Sequence, residues 1–284
     1  RVLDGEGLST DTGIHGRRTL RGDYMFTMLA ATTPIPLRVW KAMGTLGQRL
    51  FFLGLHTKTK DESTLVQQLC STSYKEKERV CRKATRDLLH SLWNQFPNGV
   101  QWEPENEDRQ YLAIIARCAL LLSRLRGQVL IFKEKGEDGA DLSHTVPVIE
   151  KPDRINQCFY NFARGHALAS GRTSLMKEDM PLVLSLTLDS APGHRAPLFR
   201  ELLRRNGDMN TDDVEKFLQC SNPTALKEMK TLCILGICKE MDGEDLDPQK
   251  HICLSKDLLW FISDECQHLL GYTGSETLRA DGSK

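Results

Sequence analysis

The chain predicts a mainly α-helical fold with a small β portion near the N-terminus, and three observations carry that expectation. Apolar residues recur at helical spacing through much of 62–188. The first 28 residues are instead rich in Gly, Thr, Asp and Arg and alternate polar with apolar near Tyr24, Phe26 and Met28. After Gly236, two short alternating runs flank an acidic turn.

Taken in order, STDTGIHGRR reads as a β-hairpin or long loop feeding a buried strand that ends at Thr32 or Thr33. Pro34 and Pro36 cannot donate to a sheet, so the chain turns there. Residues 37–46 have a short helical pattern, and RLFFLGL suits a second buried strand. From Glu62 the pattern is helical, through a basic stretch and on to Trp93, before Pro97, Asn98, Gly99 and Pro104 punctuate a loop. Residues 109–126 form the strongest helix, with Leu112, Ile115, Ala119, Leu122 and Leu125 on one face. Residues 129–147 read as a strand and an acidic surface insertion. Pro152 opens a helix that Gly171 stops. A further helix runs to about Leu188, and Pro192, Gly193, His194 and Pro197 mark a boundary. Three short helices, with no strand expected between Leu198 and Leu235, then a hairpin, make a winged-helix pattern from about residue 196. The resulting division is 1–60, 61–190 and 196–284.

At 284 residues the chain can bury more than one core. Lys plus Arg and Asp plus Glu both total 38, a balance that argues against a protein that simply coats nucleic acid. Charge is uneven locally: 75–86 holds six basic and two acidic residues, and 240–247 holds five acidic residues and no base. The basic stretch, with glutamates interleaved, is expected to be a solvated helix face. Nine irregularly spaced cysteines without a C-x-x-C pair point to a reduced, cytoplasmic setting. No apolar run approaches the ~20 residues that cross a bilayer, so no membrane partner is expected. The chain opens on Arg1 directly before an apolar pair, as if cut from something longer.

Cys233, Cys238, His251, Cys253, Cys266 and His268 lack the paired short spacing of a structural zinc site, and no metal is assigned. No G-x-S-x-G, H-E-x-x-H, G-x-G-x-x-G or G-x-x-x-x-G-K-[ST] occurs in these residues. Thr32 and Thr33 either cap a strand end by bonding turn amides or hold a hydroxyl beside a reacting group. Arg49 is either a solvated arginine or, hemmed in by Leu46, Leu50, Phe51 and Phe52, a guanidinium fixed on a rigid element; Arg38 is the alternative. Arg154 follows Asp153 at a helix start. Arg17 and Arg18, beside His15, suit phosphate contact or a plain basic turn. Lys227 and Lys230 lie on the candidate recognition helix, next to an acidic wing that would repel phosphate.

Two blocks, GIHGRR…AATTP…LGQRLFF and PDRINQCFYNFARGHALASGRTSLMKEDMPLVL, together resemble the AAA+ P-loop ATPases of the minichromosome maintenance helicase and magnesium chelatase clade. In that clade a hairpin with a Gly-Ile turn precedes a strand ending Ala-Ala-Asn-Pro or Ala-Thr-Asn-Pro, and a helix closes on Leu-x-x-Arg. Thr33 stands where the family usually has Asn. The resemblance covers roughly a third of the chain and implies the C-terminal part of such an ATPase: sensor 1 at Thr33 and Thr32, an arginine finger at Arg49, a helical lid with a sensor 2 arginine at Arg154, and a winged helix. It further implies ATP and Mg²⁺, bound only together with a preceding P-loop part, a homo-oligomeric ring and action on nucleic acid. The alternative is a non-catalytic winged-helix module that binds protein or DNA.

Overall fold

The computed structural model describes residues 8–12, 16–20, 29–33, 50–55, 60–70, 73–133, 142–241 and 250–271. It divides into two compact units, Arg1–Val39 and Trp40–Lys284. Arg49, Arg38, His15 and the helical pattern at 37–46 lie outside the described residues. The architecture is mainly helical with a small sheet portion, as expected.

In the first unit β1 (Leu8–Thr12) pairs antiparallel with β2 (Gly16–Leu20), Leu8 opposite Leu20 and Thr12 opposite Gly16. Of the buried strand expected to end at Thr32 or Thr33, only residues 29–33 are described; they carry no ladder among the described residues, and Leu29 is 98% exposed.

In the second unit, α1 (Glu62–Cys70) and α2 (Ser73–Gln95) come first. The basic stretch lies on α2 as a solvated face, laced by Glu76–Arg79, Glu78–Arg82 and Lys83–Asp87 pairs, each at 2.6 Å. The helical bundle begins at α3 (Arg109–Leu125), where Asp108 caps the first turn by accepting from the Gln110 amide at 2.8 Å. Its buried stripe, including Ile115, Cys118, Leu122 and Leu125, packs against α4 (Asp153–Ala169) and α5 (Met180–Asp189). On α4 the residues Ile155, Phe159, Ala163 and Ala167 recur every fourth position and are all buried, giving one continuous ridge. The helix stops at Ser170, before Gly171 at φ +75°, where a Cβ would be strained. Helix α5 is buried along most of its length, and Thr187 satisfies its hydroxyl on the Val183 carbonyl at 2.7 Å. Strands β3 (Ile131–Lys133) and β4 (Leu142–His144) form the hairpin of the expected insertion.

Beyond α5 the order is α6 (Arg195–Arg204), β5 (Asp208–Asn210), α7 (Thr211–Leu218), α8 (Asn222–Ile234), β6 (Cys238–Met241) and β7 (His251–Leu254). Strand β7 lies between β5 and β6, antiparallel to both. Helices alone were expected between Leu198 and Leu235, with a strand there counting against a winged helix, so β5 is a correction that counts against the pattern as expected. Gly207, at φ +88°, turns the chain after α6, which lets Met209 pair with Ile252 and bury its side chain. A 3₁₀ segment, Lys256–Ile262, and α9 (Asp264–Leu269) close the chain back onto the bundle. There Phe261 packs edge-on against Phe199 and Arg117 lies 4.9 Å over Trp260. Arg195 donates to the Leu125 and Gly127 carbonyls at 2.6 Å each, joining the start of α6 to the end of α3. At Gly127 an added Cβ would fall 2.6 Å from the Leu235 side chain and 3.0 Å from the Arg124 carbonyl, so any larger residue would force its neighbours to shift. One hydrophobic cluster therefore runs from α3 to α9.

The turn between α4 and α5 is held by a fully buried carboxylate, Asp179. It accepts from both Arg172 Nη atoms at 2.9 and 2.7 Å and from the Met176 amide at 2.7 Å, and it contacts His166 Nδ1 at 2.7 Å. Burial alone would raise this carboxyl, but the bonds from Arg172, His166 and the Met176 amide outweigh it and hold it below its ordinary value. A carboxyl with a lowered folded pKa contributes stability above its unfolded pKa and loses it as pH falls through the folded value. Asp179→Ala should therefore cost about 3–5 kcal/mol in urea denaturation at neutral pH. The difference from the parent should shrink below the ordinary carboxyl value of 3.8.

Candidate functional site at the Arg126 clasp

Residues 50–55 directly follow Arg49 and were expected to form a buried strand. They have no sheet partner among the described residues, with Phe51 and Phe52 half-buried and Leu53 and Leu55 exposed. Side chains replace the missing ladder. The Phe52 amide donates to Ser190 Oγ at 2.8 Å, and that hydroxyl lies 3.3 Å from the Phe52 carbonyl. The Gly54 amide donates to Asp189 Oδ2 at 2.8 Å, and Arg200 holds the other oxygen of Asp189 at 2.8 Å. The C-terminal end of α5 thus acts as the segment's partner.

Arg126 fastens this arrangement. It follows α3 directly, and its side chain is almost wholly buried. Its Nη2 donates to the Leu50 carbonyl at 2.7 Å and its Nε to the Ser190 carbonyl at 3.1 Å. The guanidinium also lies 4.9 Å over the Phe51 ring. Phe51 in turn packs against Phe159 and Phe162 of α4, with ring centroids 5.5 and 5.6 Å apart. Burial lowers the Arg126 pKa to about 10, and nearby Glu150 opposes that loss while Arg154 adds to it. The group stays charged at neutral pH.

Glu150 connects Arg126 to Arg154. Its Oε1 lies 3.7 Å from Arg126 Nη1 and its Oε2 3.3 Å from Arg154 Nη2. Arg154 is on the first turn of α4 with its side chain 46% exposed, so a phosphate could reach it. The structure thus links the segment behind Arg49 to Arg154 only through Arg126 and Glu150. Arg126, Glu150, Asp189 and Ser190 were not singled out in the sequence. The available signals were an arginine just before Gly127 at the end of the strongest helix and a glutamate four residues ahead of Arg154.

The other sequence-derived residues stand apart from this site or belong to the first unit. Thr32 and Thr33 are exposed, and the Thr32 hydroxyl donates to the Thr33 carbonyl at 3.0 Å. Arg17 and Arg18 lie on β2 opposite Asp11 and Thr10. On α8, Lys227 is exposed and Lys230 pairs with Glu240 at 3.0 Å.

The cysteines are free thiols, and burial pushes Cys118 and Cys233 up to about 12, which keeps them protonated and weak as ligands or nucleophiles. Among the described residues no group of His, Cys, Asp and Glu is gathered that could hold a metal ion. A Mg²⁺ of the phosphoryl-transfer kind, held by a P-loop hydroxyl and an acidic strand end, finds no such donors among them. Among the same residues no helix is long and apolar enough to cross a membrane. Comparison of the chain with protein-family models, with curated proteins and with solved structures gave no match.

Removing the clasp should be costly. Arg126→Met leaves the Leu50 and Ser190 carbonyls and Glu150 short of a partner, and should lower stability by about 3–5 kcal/mol in urea denaturation. Arg126→Lys keeps the charge without the planar fork and should recover only part of that loss.

Proposed function

We propose that this chain is the C-terminal portion of a ring-forming AAA+ ATPase, a helicase-like motor that acts on nucleic acid. It supplies sensor, lid and arginine-finger residues to a P-loop that is not among these residues. The observation that carries the reading is the meeting of two sequence blocks about a hundred residues apart. From the block ending LGQRLFF, Phe51 packs against Phe159 and Phe162 of the lid-like block, and the Phe52 amide bonds to Ser190 just beyond it. In a motor of this kind the chain behind a finger must be rigid, because a guanidinium stabilises the charge of phosphoryl transfer only where it is held in place.

In this reading Arg154 contacts nucleotide phosphate, Thr32 and Thr33 are sensor 1, and Arg17 and Arg18 face nucleic acid. Its half-exposed guanidinium and single carboxylate partner suit Arg154 to that task. In this reading residues from about 196 onward are the winged helix: the helices α6, α7 and α8 followed by the β6–β7 pair fit the expected pattern, and β5 departs from it. Free cysteines fit a reducing, cytoplasmic setting. One observation favours the alternative of a non-catalytic module whose winged helix meets protein: Lys230 is spent on Glu240.

Arg49 tests the reading. In the assembled, P-loop-bearing protein, Arg49→Ala should leave ATP binding nearly intact and lower turnover by about 10³–10⁵-fold. Mixing that variant with a P-loop-inactive one should restore part of the activity, because each supplies what the other lacks at a shared interface. Unchanged turnover by a folded Arg49→Ala protein would exclude the finger and favour the module.

A further inference from the structure

Glu150 serves two guanidinium groups with one carboxylate, and serves them unequally. Its Oε2 is within 3.3 Å of Arg154, whereas its Oε1 is 3.7 Å from Arg126, near enough for an ion pair but too far for a hydrogen bond. That second oxygen is buried and has no hydrogen-bond partner, so it has capacity to spare. The two arginines it joins differ in surroundings. Arg154 is half-exposed, while Arg126 is buried and grips the carbonyls of Leu50 and Ser190.

We propose that Glu150 is a positioning residue that reports occupancy of Arg154 by a nucleoside triphosphate to residues 50–55, acting through Arg126. The inference rests on Arg154 being a phosphate-contacting residue. A phosphate that draws Arg154 away removes one of the two claims on Glu150. The carboxylate then closes on Arg126, which also loses a like-charged neighbour. Arg126 is left better compensated in a buried place, and its hold on Leu50 and Ser190 tightens. The residue before Leu50 is Arg49, so a phosphate at one arginine stiffens the chain that bears the other.

Amide hydrogen exchange at Phe52 and Gly54 reads this directly, because both amides bond to side chains at the end of α5. Arg154→Met imitates an arginine already withdrawn and should slow exchange at both amides by about twofold to fivefold, the range of a single partly exposed ion pair. Glu150→Gln should speed exchange, and adding Arg154→Met to it should then change nothing. If Arg154→Met alone leaves both amides at the parent rate, the relay is wrong. That outcome is readable even if Glu150→Gln fails to fold, since Arg154 is half-exposed and supports no core. ATP added to the assembled protein separates the relay from the reading it rests on. Slower exchange that vanishes in Glu150→Gln supports both. No effect of ATP where Arg154→Met still slows exchange overturns the nucleotide role of Arg154 and leaves Glu150 as a coupling between two arginines.

Discussion

A buried guanidinium is tolerated only where its N–H donors and its charge are satisfied, and Arg126 meets that constraint by drawing three parts of the chain together. The Leu50 carbonyl comes from the segment 50–55, the Ser190 carbonyl from the end of α5, and Glu150 from the residues just ahead of α4. Without the arginine these buried or part-buried groups would each lack a partner that the interior does not replace. The planar fork also fixes direction: one Nη reaches Leu50 while Nε reaches Ser190, so the segment and the helix end hold one spacing.

The rest of the unit supplies the rigidity that such an arrangement requires. The α4 ridge of Ile155, Phe159, Ala163 and Ala167 fills the space against α3 and α5, and Phe159 forms the floor on which Phe51 rests. Asp179 fixes the α4–α5 turn, so the C-terminal end of α5 is carried to the place where Asp189 and Ser190 meet the segment. Arg195, bonded to the Leu125 and Gly127 carbonyls, brackets Arg126 from the other side in sequence and ties the following domain-like part to the same corner.

Much of this was legible in the sequence where local chemistry decides the outcome. Helix α3 followed from its apolar spacing, α4 from Pro152 at its start and Gly171 at its end, and the solvated face of α2 from its interleaved charges. Two readings failed for one reason. LeuAlaAlaThrThr and RLFFLGL both look like buried strands, but a strand depends on neighbours that no local pattern specifies. Residues 50–55 found side-chain partners at Asp189 and Ser190, and residues 29–33 carry no ladder among the described residues. Strand β5 is three residues long, too short for an alternation to register. At the site, Arg154 stood out by its motif. Arg126 and Glu150 did not, since Arg126 matters through Leu50 and Ser190, 76 and 64 residues away, and Glu150 through Arg126.

The central claim is that the segment behind Arg49 is docked on the helical bundle and held there as part of it. Its most direct test is a solution measurement of proton–proton contacts between the Phe51 ring and the rings of Phe159 and Phe162. Centroid separations of 5.5 and 5.6 Å predict strong cross-peaks to both rings in the native protein. Cross-peaks to neither ring, in a chain whose Phe199 and Phe261 rings still show theirs, would contradict the account.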